Sequence, residues 1–131
     1  TNSILADIPL ALPALSRAEK LQKRAARVGF DWPSIDQVFD KLEEELQEIR
    51  DAGSNPAHLK EEVGDLLFVC ANLARHLGVD PEDALRDTNR KFERRFGHIE
   101  NRFREKDKRF EESTLEEMEA LWVEAKQLEK A

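Results

Sequence analysis

Two short acidic runs hold the residues whose types and spacing could do chemistry. The first is Lys41-Leu42-Glu43-Glu44-Glu45-Leu46-Gln47-Glu48-Ile49, the second Glu61-Glu62-Val63-Gly64-Asp65-Leu66-Leu67. Each puts acids three apart: Glu45 and Glu48, then Glu62 and Asp65. Residues three apart share a helix face. Two such helices side by side would converge four carboxylates on one spot. Close carboxylates repel, and desolvation penalises their charge further. A hard divalent cation relieves both, because magnesium prefers oxygen ligands.

Helical periodicity sharpens the pattern. At about 100° per residue, Ile35, Val38, Phe39, Leu42, Leu46 and Ile49 form one apolar stripe. Glu45 sits at its edge and Glu48 one step further round. In the second run Leu59, Val63, Leu66, Cys70, Leu73 and Leu77 form the stripe. Glu62 falls inside that arc, with Asp65 beside it. A glutamate on an apolar face is costly unless paired or metal-bound. Glu43 and Glu61 point elsewhere and read as solvated charges. Alone, the first run reads more readily as a solvated face than as a metal site. The second run, with its Glu inside the stripe, shifts the balance towards metal.

The elements that must position these acids are helices. Thr1 to Leu12 reads as an extended lead-in (1–12), since Pro9 and Pro13 limit helix before them. Residues 13–131 read as one domain. Pro13 opens a helix whose Ala14, Ala18, Leu21, Ala25 and Val28 repeat at three and four before Gly29. Its other face carries Arg17, Lys20, Lys23, Arg24 and Arg27, mostly a solvated basic face with one or two able to reach a phosphate. Gly29-Phe30-Asp31-Trp32-Pro33 is a short connection. Its aromatics either cap the core, the favoured reading, or wall a planar ligand.

The second helix runs from near Ser34 to about Asp51, and Asp51 to Pro56 is a turn. The third runs from about Ala57 to Leu77 and stops at Gly78. His58 and His76, near its ends, read as surface residues. Asn72 lies seven residues after Asp65 on the same face; a ligand contact beside the metal and a plain surface role are equally open. Asp80-Pro81-Glu82-Asp83 starts a fourth helix with an Asp cap, Pro at the first position and acids in the first turn. Lys91, Arg94 and Arg95 share its surface, either as salt-bridged charges or as a clamp on phosphate oxygens. Gly97 weakens this helix, while Ile99 and Phe103 continue its apolar line. After a charged link from Lys106 to Glu112, Ser113-Thr114-Leu115-Glu116-Glu117 contains a capping box. Trp122 in the last helix, four residues before Lys126, reads as core or interface. Five helical segments with short links predict an all-α bundle.

Composition agrees with that class. The 131 residues suffice for one domain with a real core, and there is no tyrosine and few β-branched runs to build sheet. The net charge of −7 argues against a general binder of nucleic acid polymers. The single cysteine, Cys70, reads as a buried packing residue and excludes a disulfide framework. No segment approaches 18 uninterrupted apolar residues, so no membrane span is expected. No signal peptide is visible, and the cytoplasm is the default. A start at Thr1 without methionine fits a piece of a longer protein.

The pair E-E-x-x-E and E-x-x-D on consecutive helices resembles the MazG-type, all-α nucleoside triphosphate pyrophosphohydrolases. The likeness extends from about Ile4 to the end. It includes Arg17-Ala18-Glu19-Lys20-Leu21-Gln22-Lys23-Arg24, Val28 to Trp32, Gly64 to Phe68, Asn72 to Gly78 and Lys91-Phe92-Glu93-Arg94-Arg95-Phe96. It is to the C-terminal of the two related domains of full-length members. The resemblance implies a four-helix core bundle with an extra terminal helix, assembled as a homodimer. It implies Mg²⁺-dependent hydrolysis of a nucleoside triphosphate to monophosphate and pyrophosphate, with Mn²⁺ a possible substitute. Glu45, Glu48, Glu62 and Asp65 would then be the metal ligands, and Glu44 would complete the motif and hold or activate water. Lys91, Arg94 and Arg95 would meet phosphates, and Trp122 and Lys126 would close the nucleotide site.

Attack by water between the α- and β-phosphates develops charge that metal and cations can neutralise, and Glu44 or Glu45 is the candidate to take the water's proton. Broad base acceptance and clearance of aberrant nucleotides suit this reading. A di-iron carboxylate bundle wants Glu-x-x-His pairs, and none of His58, His76 or His98 follows a Glu by three. The remaining rival is a non-catalytic helical regulatory or dimerisation module that binds nucleotide or metal.

Overall fold

The computed structural model describes residues 3–131. It contains α1 (Ala14–Ala26), α2 (Ile35–Asp51), α3 (Pro56–His76), α4 (Pro81–Glu105) and α5 (Leu115–Lys130), with a single 3₁₀ turn at Phe110–Glu112. No strand occurs among the described residues, so the expected all-α class is the one that forms. The chain divides into two compact units, one ending at Ala84 and the other spanning Leu85–Ala131. The division falls about one turn into α4.

In the first unit, α1 and α2 both pack on α3. Val38 of α2 and Ala71 of α3 are fully buried, and Val69 is nearly so. Only part of each apolar stripe is covered. Phe39 and Leu46 of α2, and Val63, Leu67 and Cys70 of α3, are exposed. Cys70 is therefore not the buried packing residue its stripe position suggested. Because α3 is shared between two neighbours, it is buried on two opposite sides, at Glu62 and Val69 and at Ala71, and Val63 and Cys70 lie exposed between them.

The boundaries follow local chemistry. Asn55 caps α3: its Oδ1 accepts from the backbone N–H of Ala57 at 3.0 Å and of His58 at 3.3 Å. Replacing Asn55 with alanine is expected to cost about 1 kcal/mol, read as a lower urea midpoint with an unchanged slope. Gly29 and Gly78 leave α1 and α3 with φ of 91° and 71°, a left-handed conformation that glycine adopts at least cost. The described part of the lead-in is not extended. It turns at Ala6, whose N–H reaches the Ser3 carbonyl at 3.2 Å, and it buries Ile8. Arg24 holds it to α1 through the Ile4 carbonyl and the Asp7 carboxylate. The start of α1 meets the first turn of α4, where Glu82 accepts from the Ser16 N–H at 3.4 Å.

The second unit is built on aromatics. Ile99, Phe103 and Ala125 are buried. Phe103 packs on Phe110 at 4.8 Å between centroids, Phe110 stacks on Phe96, Phe96 on Phe92, and Phe92 meets Trp122 at 5.5 Å. Gly97 does not interrupt α4, because helical residues on both sides continue the apolar line to Phe103. The capping box is half formed: Thr114 Oγ1 accepts from the Glu117 N–H at 3.2 Å. The Glu117 carboxylate does not return the bond; it pairs with Lys108 instead.

Candidate metal centre

α2 and α3 bring Glu45, Glu48 and Glu62 together, with one carboxylate oxygen from each inside a sphere of mutual distances no greater than 4.8 Å. Glu45 is 4% exposed and Glu62 9%. Their burial is what the α2–α3 packing imposes on an edge position and an in-stripe position. Glu45 Oε2 and Glu62 Oε2 are both buried without a hydrogen-bond partner. A buried carboxylate oxygen with no partner carries a large desolvation cost.

The other oxygens have partial company. Lys41 Nζ lies 3.2 Å from Glu45 Oε1 and 3.3 Å from Glu44 Oε1. His58 Nε2 lies 3.7 Å from Glu62 Oε1. The hydrogen bond that Lys41 donates to Glu45, then the one it donates to Glu44 and the two carboxylate charges, outweigh desolvation and hold the Lys41 ammonium above its usual range. The Glu48 carboxyl is pushed up, first by a hydrogen bond shared with Glu62, then by desolvation and by the Glu62 and Glu44 charges. Three crowded carboxyls, two orphaned buried oxygens and an all-oxygen donor set fit a hard divalent cation such as Mg²⁺ or Mn²⁺.

Lys41 and His58 were not singled out from sequence as neighbours of the acids. Each stands four residues before its acid on the same helix, so the spacing does carry that signal. Asp65 is exposed and stands outside the trio. Glu44 is exposed and paired with Lys41.

A pH effect follows from Glu48. A carboxyl whose folded pKa is raised binds its proton more readily in the folded state. The metal-free chain is therefore favoured at low pH and loses that contribution as pH rises through the raised value. Its melting temperature is expected to fall over that interval more than in Glu48→Gln, while added Mg²⁺ stabilises most at the high-pH end.

On α3, Asp65, Phe68, Asn72 and Arg75 follow one face beyond the acids, since steps of three and four repeat that face. Asn72 Oδ1 accepts from Arg75 Nε at 3.0 Å. Arg75 also pairs with Asp31, and His76 Nε2 lies 3.0 Å from the same Asp31 oxygen. Desolvation pushes Asp31 up, but the Arg75 and His76 bonds outweigh it and hold the carboxyl low. His76 is thus half-buried and engaged, not a free surface residue. Phe30 is 82% exposed and Trp32 42%. Neither caps the core; both line a cavity of about 510 Å³ with Asn72 and Arg75.

In the second unit, Arg95 Nε and a terminal nitrogen both donate to Glu129 Oε1, at 3.1 and 2.9 Å. The Arg95 guanidinium also stands 5.4 Å from the Trp122 ring centre. Arg94 Nε lies 3.6 Å from the other Glu129 oxygen. The Arg95 bond holds the Glu129 carboxyl below its ordinary range. Trp122 is half-buried in the aromatic row, so it belongs to that core. Lys91 is half-buried and Lys126 exposed.

Comparison with known proteins decides the family. Residues 34–99 match the MazG nucleotide pyrophosphohydrolase domain. The chain belongs to the MazG family. The matched span includes both acidic runs, Asn72 and the Lys91–Arg95 segment, and leaves Gln22, Trp122 and Lys126 outside. A nucleoside triphosphate pyrophosphohydrolase of Escherichia coli (strain K12) is 47% identical over 132 residues, covering 98% of this chain and 50% of that protein. The nucleoside triphosphate pyrophosphohydrolase/pyrophosphatase MazG of Thermotoga maritima is 43% identical over 125 residues, covering 95% and 49%. Bacillus subtilis (strain 168) YabN, named only as an uncharacterized protein, is 45% identical over 98% of this chain and 27% of its own length. The chain spans about half the length, or less, of the curated relatives it matches. No described helix of this MazG-family chain is long and apolar enough to cross a membrane.

Proposed function

We propose that this chain hydrolyses nucleoside triphosphates to monophosphate and pyrophosphate with a divalent cation, Mg²⁺ or its substitute Mn²⁺, held by Glu45, Glu48 and Glu62. The observation that carries the reading is the pair of buried, partnerless oxygens on Glu45 and Glu62 beside the raised carboxyl of Glu48. Asp65, three residues on from Glu62 and exposed, is the fourth carboxylate of this proposal. The relatives named as nucleoside triphosphate pyrophosphohydrolases support the same substrate class.

A bound cation would neutralise charge on the phosphate oxygens and lower the pKa of the attacking water. The chain's own residues do the rest. Glu45 or the exposed Glu44 accepts the water's proton. Lys41, which donates to both carboxylates, positions them. The α3 face from Asp65 to Asn72 leads about 10 Å along the helix, at about 1.5 Å per residue. That length suits a nucleotide with phosphates at the acids and base in the cavity beside Asn72. Lys91, Arg94 and Arg95 are assigned to phosphate oxygens, and Trp122 and Lys126 to closing the nucleotide site.

A homodimer is part of the proposal, supported by the exposed apolar side chains of Phe39, Leu46, Val63 and Leu67. So is a cytoplasmic setting, where nucleoside triphosphates are at hand. Broad base acceptance and a role in clearing aberrant nucleotides belong to it as well. The test is product analysis. Incubation with a panel of triphosphates should yield monophosphate and pyrophosphate only when metal is present. Diphosphate and phosphate, or metal-independent turnover, would refute the assignment, and metal-dependent nucleotide binding without turnover would favour a regulatory module.

A further inference from the structure

The wall of the cavity between α1 and α3 holds a polar atom that no described residue satisfies. Gln22 Nε2 donates to the Phe68 carbonyl oxygen at 2.8 Å. That bond fixes the amide orientation, because the flipped amide would set two acceptors against each other. Gln22 Oε1 is therefore an acceptor, and it is buried with no partner. Gln22 lines the cavity together with Phe30, Trp32 and Phe68.

A buried acceptor without a donor is disfavoured and rare in folded proteins. The walls around it are those of a ligand site: largely apolar, aromatic, with few polar groups, in a volume within the range of about 300–1,000 Å³ found for small-molecule sites. The other polar side chains of the wall are engaged with one another in part. Asn72 Oδ1 is taken by Arg75, and Asp31 by Arg75 and His76. Asn72 is thereby held with its amide nitrogen left as a donor. Gln22 thus stands in the wall as a fixed acceptor that is buried and unpartnered, and Asn72 adds a donor.

We propose that Gln22 reads the nucleobase, its side-chain oxygen accepting a hydrogen bond from an exocyclic amine of a base stacked among Phe30, Trp32 and Phe68. Adenine, cytosine and, through its 2-amino group, guanine are the bases of this class, each with an amine donor beside a ring-nitrogen acceptor, whereas uracil and thymine have no such amine. The assignment rests on the nucleotide reading above and adds a specificity-determining residue to it. A site that hydrogen-bonds a substrate N–H discriminates against the analogue lacking it, because the protein group is then left unpaired.

The test compares adenosine 5′-monophosphate with purine riboside 5′-monophosphate, which differ only by the amine, in calorimetric titrations of the wild-type chain. The amine-bearing nucleotide is expected to bind about tenfold more tightly. In Gln22→Leu the two should bind within about twofold of each other. Equal binding by the wild-type chain would overturn the proposal without recourse to any variant, as would discrimination that survives in Gln22→Leu. Because Gln22→Leu also removes the bond to Phe68, the ratio of affinities is the readout, since a packing defect moves both nucleotides together. Hydrolysis of adenosine triphosphate is scored separately. Selective binding without hydrolysis would refute the pyrophosphohydrolase reading and leave the base contact supported.

Discussion

Glu62→Gln is expected to lower kcat/KM for nucleoside triphosphates about a thousandfold while leaving the helices intact. The substitution keeps the side chain's volume and removes the charge of a carboxylate that is 9% exposed. A lost electrostatic stabiliser of the transition state costs about two to three powers of ten, and a metal ligand belongs at the upper end. The effect on stability runs the other way. The metal-free chain holds Glu62 beside Glu45 and Glu48, with one oxygen orphaned. Relieving that repulsion should raise the melting temperature of the metal-free protein by about 3 °C, what about 1 kcal/mol corresponds to at this chain length. Added Mg²⁺ should then stabilise the variant little. A turnover assay and paired thermal melts read both effects. Activity near wild type would remove Glu62 from the site, and a large loss of stability would show that its charge is structural.

Arg95→Ala is expected to raise KM about thirtyfold. Charge-assisted hydrogen bonds are worth about 1.5–3 kcal/mol, and about 2 kcal/mol is a factor of about thirty. Arg95 also binds Glu129 and stands over Trp122. A loss in Arg95→Ala could therefore come from a loosened α5. Glu129→Gln separates the two roles. If Arg95 serves phosphate, weakening its rival acceptor should lower KM. If Arg95 only pins α5, Glu129→Gln should raise KM as Arg95→Ala does. Steady-state kinetics on the two variants decide between them.

The fold was largely legible because the chain is punctuated by residues with local reasons. Asn55-Pro56 starts α3, Gly78 ends it, and Asp80-Pro81 starts α4, whatever packs around them. The acids were legible in part for the same reason. Glu62 lies inside an apolar arc, and it is buried although only part of that arc is covered. The rest needed tertiary structure. Cys70 and Val63 share the arc with Glu62, yet α3 divides its contacts between α1 and α2, and those two side chains stay exposed. Asp65 has the spacing of a ligand, yet it stands exposed and outside the trio. Phe30 and Trp32 resemble core residues by composition, and only the α1–α3 cavity gives them another place. Gln22 has no sequence signal. Its meaning comes from the Phe68 carbonyl, 46 positions away.

The central claim is that three carboxylates on α2 and α3 form a divalent-cation site. Mn²⁺ titration followed by electron paramagnetic resonance, with Mg²⁺ as competitor, tests it most directly. The wild-type chain should bind Mn²⁺ saturably and release it to Mg²⁺, and a Glu48→Gln/Glu62→Gln variant should lose that binding. Undiminished binding in the variant, or no saturable binding by the wild-type chain with or without nucleotide, would contradict the account.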